Sequence, residues 1–525
     1  MRTWLLVGVF FLAACQHSSS GSSPSFLAPG VNDLGLHNAP FVVENGVLAA
    51  TVYEDGVDQN GDGDGDDVLL RIIDLGNGRN VTIPDIAPSP QPTIGGGFVS
   101  FVVPEAAEGR DLNGDGDTLD LVVHVLDVRT GETRSLGLAA PYDFVQSGTL
   151  LAFEVPEVGQ GVDLDGDGSL HGWIVFAYEA DLRRLTRLPF MARTQTLQLV
   201  GRRVLYRADE ADCGDANADG DALDLVEQIY DADLGTLTNS GRACSFAGAD
   251  GASLAMQVRE AENGNADLNG NGHGGDTLVE FRDLESGFSR TTSGTTGGLF
   301  ATGGGIAILV QAPEPGAQPW AYDFASDTLT PLLGLEHGGP IPGPAVDRRL
   351  AYFVSEFDAG SDLDGDGDVR DFVLHTFDGR TGVSTNTGYT SSGPWAFDAR
   401  RVVFLVPTPR TSIGPLPPTS ARVYDFGTRS AHDLDLVASD FRLLDDRVVV
   451  VTPEEWAGAD LDADGDREDY VLQVYDLRTG RTFDTGLALD DRYLDYPMAI
   501  DREVLLIQVQ DQSESDWRLL AIRLN

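Results

Sequence analysis

The sequence predicts an all-β chain folded as a single closed β-propeller of four-stranded blades. Three observations predict it. A unit of about fifty residues recurs, starting near Asn45, Gly96, Ser147, Gly201, Asp250, Gly304, Asp347, Ala399, Asp445 and Asp501. Each unit carries short apolar runs without helical period. The last unit supplies three strands and stops, while "VNDLGLHNAPFVVENG" near the N-terminus matches "TRSLGLAAPYDFVQSG", where a fourth strand leads into the next unit. Residues near Asp33 to Leu36 are therefore expected to complete the final blade and leave no open sheet edge.

Within a unit the first strand is short ("PFVVEN", "PMAID"). The second and third are hydrophobic ("VLAATVYE", "DYVLQVYDL"), and the fourth is weaker ("NVTIP"). Near-continuous apolar runs fit strands buried on both faces by neighbouring blades. "DVRTG", "DGRTG" and "DLRTG" between the third and fourth strands read as tight turns, with Asp as entry cap and Gly supplying positive φ. On this reading Asp127, Asp231, Asp378 and Asp476 are turn caps.

Between the second and third strands, seven units carry an acidic loop. Five are fully furnished. They are "DQNGDGDGDD" (Asp58, Asn60, Asp62, Asp64, Asp67), "DLNGDGDTLD" (Asp111, Asn113, Asp115, Asp117, Asp120) and "DANADGDALD" (Asp215, Asn217, Asp219, Asp221, Asp224), then "DLDGDGDVRD" (Asp362, Asp364, Asp366, Asp368, Asp371) and "DLDADGDRED" (Asp460, Asp462, Asp464, Asp466, Asp469). "DLDGDGSLHG" keeps Asp163, Asp165 and Asp167 but has Ser169 and Gly172 where acids are expected. "DLNGNGHGGD" offers Asp267, Asn269, Asn271 and Asp276, with His273 at the seventh position. These two are expected to bind most weakly. In the sixth and eighth units "APEPGAQPWA" and "PTPRTSIGPLPPTSA" replace the loop.

Oxygen donors at positions 1, 3 and 5, with Gly at 6, match the first half of an EF-hand loop. No Cys or paired His accompanies them, so the set suits a hard cation, and calcium before magnesium because many protein oxygens converge. Two carboxylates ~4 Å apart repel by about 4 kcal/mol at a surface-like dielectric. Several in one turn would splay it, and a divalent ion reverses the sign of the sum. Glu105, Glu157, Glu356 and Glu454 precede loops by about six residues. Each is read either as a further ligand or as a solvated strand end.

The chain has 525 residues, 42% hydrophobic, with a formal net charge of −48, which argues against nucleic acid as a partner. "MRTWLLVGVFFLAAC" has the charged start, apolar stretch and small-residue end of a secretory signal. "LAAC" resembles a bacterial lipobox, which implies cleavage and lipid attachment at Cys15; the alternative is an ordinary signal with an incidental Cys. The expected organisation is signal peptide 1–15, Ser/Gly-rich tether 16–30 and propeller 31–525. By the same resemblance, Gln16 implies an outer-membrane lipoprotein, attached to the membrane through the lipid anchor only. Cys213 and Cys244 are a candidate disulfide, read as reaching one face of the ring.

The pattern "VLQVYDLRTG" resembles the repeat of the Tol-system periplasmic propeller. The acidic loops are similar to those of FG-GAP integrin-type propellers and thrombospondin type 3 repeats. The FG-GAP loop places its last Asp at position 9, whereas Asp120, Asp224, Asp371 and Asp469 stand at position 10. The resemblance implies the ion and the fold class, not a partner.

No nucleophile elbow, zinc-type His pair or phosphate-cradling loop is present. His124 and His375 share a repeat position with Gln228 and Gln473, which reads as structural. Trp395 and Trp456 interrupt the repeat and are candidates for ligand contact, with core packing the alternative. The expected function is a calcium-binding envelope scaffold that takes a protein or glycan on its loop face. A hydrolase or lyase acting on a polysaccharide or lactone, and a Tol-like complex component, are the alternatives.

Overall fold

The computed structural model describes residues 30–524, apart from 38, 55, 57, 60–62, 64, 88–90, 141–143, 192–196, 293–295, 312–318, 333–344, 392, 408–417, 490–496 and 511–516. Cys15, Asn60, Asp62, Asp64 and most of the Pro-rich insert of the eighth unit lie outside the described residues.

Among the described residues, ten successive antiparallel units follow the ten repeats, two of them fused into one seven-stranded sheet. The first pairs Phe41–Glu44, Val47–Tyr53, Val68–Asp74 and Asn80–Ile83 in chain order. The same order recurs in residues 93–139, 145–191, 296–331, 395–437 and 440–489. The fourth and fifth units depart from it. They share the fifteen-residue strand Thr236–Asp250, which pairs with Leu225–Asp231 along its first half and with Ser253–Arg259 along its second. The seventh unit has three strands among the described residues.

The apolar runs are explained by strand alternation. In Arg447–Pro453 the whole strand is buried; Val448 and Val450 pack towards the eighth sheet, while Val449 and Val451 pack towards the tenth. Such clusters join each sheet to the next along the chain. Leu506, Leu519 and Ala521 of the tenth sheet pack with Leu48, Ala50 and Val52 of the first. Burying each such side chain stabilises by about 1.5–3 kcal/mol, so the sheet-to-sheet seams are the core.

Gly30–His37 pairs antiparallel with Trp517–Arg523, with Gly30 opposite Arg523 and Asp33 opposite Leu520. The N-terminal strand therefore completes the tenth sheet, as its pattern suggested. Antiparallel order puts two hairpins at one end of a four-stranded sheet and the link between its second and third strands, the acidic loop where one is present, at the other. At the hairpin end the caps form as read. Asp127 accepts the backbone N–H of Arg129 at 2.9 Å and of Thr130 at 3.2 Å, and Asp476 accepts those of Arg478 and Thr479 at 2.8 and 3.0 Å.

Candidate metal centre

All seven acidic loops are closed by one backbone bond. The N–H of a glutamate at the end of the second strand donates to the carbonyl of the tenth loop residue. This pairs Glu54 with Asp67, Glu105 with Asp120, Glu157 with Gly172, Glu210 with Asp224, Glu260 with Asp276, Glu356 with Asp371 and Glu454 with Asp469, at 2.9–3.1 Å. Five of these glutamates open a one-turn helix: α1 (Glu105–Glu108), α2 (Glu157–Gln160), α3 (Glu210–Cys213), α4 (Glu356–Ala359) and α5 (Glu454–Ala457).

Their side chains are not solvated strand ends. Glu105, Glu157, Glu210, Glu260, Glu356 and Glu454 are fully buried. Glu105 Oε1 accepts the N–H of Leu112 at 2.6 Å and of Asn113 at 3.2 Å, and its Oε2 accepts that of Asp120 at 3.2 Å. Glu210 and Glu356 hold their loops by the same three bonds. A buried carboxylate is tolerated when backbone donors surround it. Sequence reading missed Glu54, Glu210 and Glu260 because their distance from the loop varies; recurrence of Glu after the second strand was the available signal.

Inside the loop each donor side chain turns the backbone two residues on. The Asn113 side-chain oxygen accepts the N–H of Asp115 at 3.0 Å, Asp115 accepts that of Asp117 at 2.9 Å, and Asp117 accepts that of Leu119 at 2.9 Å. Asp111 caps from the start, accepting the N–H of Gly116 at 3.0 Å. The sixth position takes φ near +100° in the furnished loops, including +102° at Gly116 and +108° at Gly465, which explains glycine there. Successive loops also touch. Asn113 donates through Nδ2 to the Gly159 carbonyl at 2.7 Å, and Asn217 donates to that of Glu262 at 3.0 Å.

This winding gathers carboxylates. Ligand oxygens of Glu105, Asp115, Asp117 and Asp120 lie within 4.8 Å of one another, as do those of Glu210, Asp219, Asp221 and Asp224. Oxygens on opposite sides of a calcium ion stand about 5 Å apart, given bonds of about 2.3–2.6 Å, so the all-oxygen sets fit that ion. Glu356 gathers with Asp362 and Asp364, and with Asp368 and Asp371; the depleted third loop brings together Glu157, Asp163 and Asp165. Asp460, Asp462, Asp464 and Asp466 repeat the same backbone contacts, as do Asp267, Asn269 and Asn271. Asp58 accepts the N–H of Gly63 at 3.1 Å.

The electrostatics of the crowding are visible in proton affinity. Asp120 is pushed up to about 6, chiefly by burial and further by Asp115, Glu105 and Asp117, against a lowering bond from Asn113. Asp224 also rises to about 6, from burial and then from Asp219, Glu210 and Asp221. Burial followed by neighbouring carboxylates raises Asp371 and Asp469. Asp163 goes the other way, lowered first by the Gly166 N–H.

The remaining candidates fall elsewhere. The Cys213–Cys244 bridge is not formed. Cys213 Sγ lies 3.6 Å from the Gly214 carbonyl at the end of α3, while Cys244 Sγ lies 3.7 Å from Glu227 inside the seam between the fourth and fifth units. The long shared strand carries Cys244 into that seam, where its side chain is buried among Leu205, Leu254 and Met256. Trp395 is a packing residue, 5.5 Å from the Phe353 ring and 5.9 Å from that of Phe397. Trp456 is half-buried in α5, beside the last loop. His124 and His375 are packed against Phe101 and Tyr352 and lowered by burial, consistent with structural positions.

No protein-family model matches the chain, and no curated protein does. Among solved structures, it is similar to the β-propeller domain of the Trilobed protease from Pyrococcus furiosus over 66% of this chain and 97% of that one, at 11% identity and TM-score 0.29. It is similar to TolB from Acinetobacter baumannii over 67% and 79%, at 11% identity and TM-score 0.22. The tricorn protease aligns with 91% of this chain at 13% identity and TM-score 0.26, and the chain spans 56% of that protein's length. Likenesses of this size carry no argument about activity, partner or site.

Proposed function

We propose that the chain is a calcium-binding, closed β-propeller lipoprotein of a bacterial envelope, acting as a binding or scaffold module for a protein or glycan at its loop face. One observation carries the calcium reading: the same winding of carboxylates recurs in successive acidic loops, each closed onto a buried glutamate. Calcium supplies the charge that lets those oxygens converge. The chain's own residues supply the cradle: Asp at positions 1, 5 and 7, Asp or Asn at position 3, and Asp at position 10.

Ring closure is supported by the seam between the tenth and first sheets and by the N-terminal strand paired with Trp517–Arg523. The lipid anchor rests on "LAAC" and Cys15; replacing Cys15 is expected to release the protein from membranes into the soluble fraction. Thermal unfolding with calcium and with a chelator tests the metal reading. The expected result is a lower midpoint in chelator, and equal midpoints would count against it. A propeller-fold hydrolase or lyase and a Tol-like complex component gain no supporting side chains from the described residues.

A further inference from the structure

Six of the loop glutamates are fully buried and stand as internal controls for one another. In five of them the second carboxylate oxygen accepts the N–H of the tenth loop residue: Asp120 to Glu105 at 3.2 Å, Gly172 to Glu157 at 2.9 Å, Asp224 to Glu210 at 3.2 Å, Asp276 to Glu260 at 2.9 Å and Asp371 to Glu356 at 3.2 Å. Glu454 breaks the pattern. Its Oε1 accepts the N–H of Leu461, but its Oε2 is buried with no hydrogen-bond partner. The backbone staple to Asp469 is kept at 3.0 Å, so the loop is still closed over it.

A buried carboxylate oxygen without a donor is costly, and the cost is removed by a cation beside it. Two acids of the loop, Asp462 and Asp469, lie near enough for the Glu454 charge to act on them. We infer that Glu454 binds the ion of loop 460–469 directly through Oε2, an oxygen that in its five sisters is engaged by the N–H of the tenth loop residue. This rests on the calcium reading above and adds one anionic ligand to a loop already carrying Asp460, Asp462, Asp464, Asp466 and Asp469. Ligand charge count raises affinity, so removing this one charge should weaken the loop's hold on the ion.

Trp456, two residues beyond Glu454, makes the claim testable at a single site. Terbium replaces calcium in oxygen cages and is sensitised by a nearby indole. In full-length protein, the luminescence abolished by Trp456→Phe reports loop 460–469 alone. Glu454→Gln keeps an acceptor for Leu461 and is expected to shift the half-saturation of that component upward about ten-fold or more. Glu105→Gln and Glu356→Gln are expected to leave it in place. Glu454→Asp keeps the charge but withdraws it by one methylene, and serves with the same expected direction if the amide variant does not fold. An unchanged half-saturation in the Glu454 variants, with terbium still bound, overturns the assignment. Absence of terbium uptake by every loop would instead overturn the calcium reading on which it rests.

Discussion

The two ends of the sheets handle the same acidic side chain in opposite ways. At the hairpin end, carboxylates are neutralised by arginine. Arg348 grips the buried Asp323 with two bonds of 2.7 and 2.8 Å, and Arg447 joins Asp476 at 3.2 Å to Glu503 of the next sheet at 2.7 Å. Arg203 links Asp231 to the Gly251 carbonyl, and Arg401 links Asp398 to Asp446 in the same manner. The chain contains no lysine, and the planar guanidinium suits this double reach. At the loop end, carboxylates face one another. The difference teaches that carboxylates such as Asp323 find their counter-charge within the chain, whereas those of the loops find mainly one another, the arrangement on which the proposed ion rests.

The largest effect that would break this comparison is chelation. At about 10 mM calcium and a dissociation constant of roughly 10⁻⁴–10⁻³ M, each occupied loop contributes about 1.4–2.7 kcal/mol. Removing the ion should therefore lower the unfolding midpoint strongly. Hydrogen exchange should accelerate at loops such as 111–120 and stay slow at the hairpin end. Equal acceleration at both ends would erase the distinction.

Next in size is Arg348→Ala, which strands the buried Asp323 and is expected to cost about 3–5 kcal/mol in denaturant unfolding. Its loss should be the same with calcium and with chelator, because no loop is involved. Glu105→Gln is expected to cost about 1–3 kcal/mol by replacing one of the two buried oxygens that accept the N–H groups of Leu112, Asn113 and Asp120, and that loss should grow when calcium is present. If both variants respond alike to calcium, the two ends are not independent.

A pH series sharpens the same point. In the metal-free chain Asp120 and Asp224 hold protons up to about pH 6, above the ordinary value of 3.8. The folded state then binds more protons than the unfolded one between these values. Their stabilising contribution is complete below about pH 4 and lost as pH rises through 6. Calcium must displace those protons, so its effect on the midpoint should be small at pH 5 and full by pH 7. A calcium effect independent of pH across that window would contradict the convergence of these groups. The smallest effect is expected from Asp163→Asn, in a loop that already lacks acids at positions 7 and 10. Calcium titration calorimetry should barely register it beside Asp111→Asn.

Much of this was legible in the residues. Strand runs, the Asp-capped turns and the donor spacing are local, and local patterns survive in sequence. The glutamate clamps were legible only in part. Glu54 stands four residues before its loop and Glu260 seven, so only the fold reveals that both reach the same backbone groups. The cysteines misled because a fifteen-residue strand fuses two units and turns Cys244 inward, a tertiary outcome no spacing records. Arginine clasps such as Arg348 with Asp323 and Arg447 with Glu503 join residues 25 and 56 positions apart, and were invisible for that reason.

On the proposed reading the loop face is built around hard divalent ions. Equilibrium dialysis of the purified full-length chain against calcium, followed by elemental analysis, tests it most directly. At least five calcium ions per chain are expected, one for each furnished loop. A chain that emerges folded with essentially no bound calcium would contradict the account.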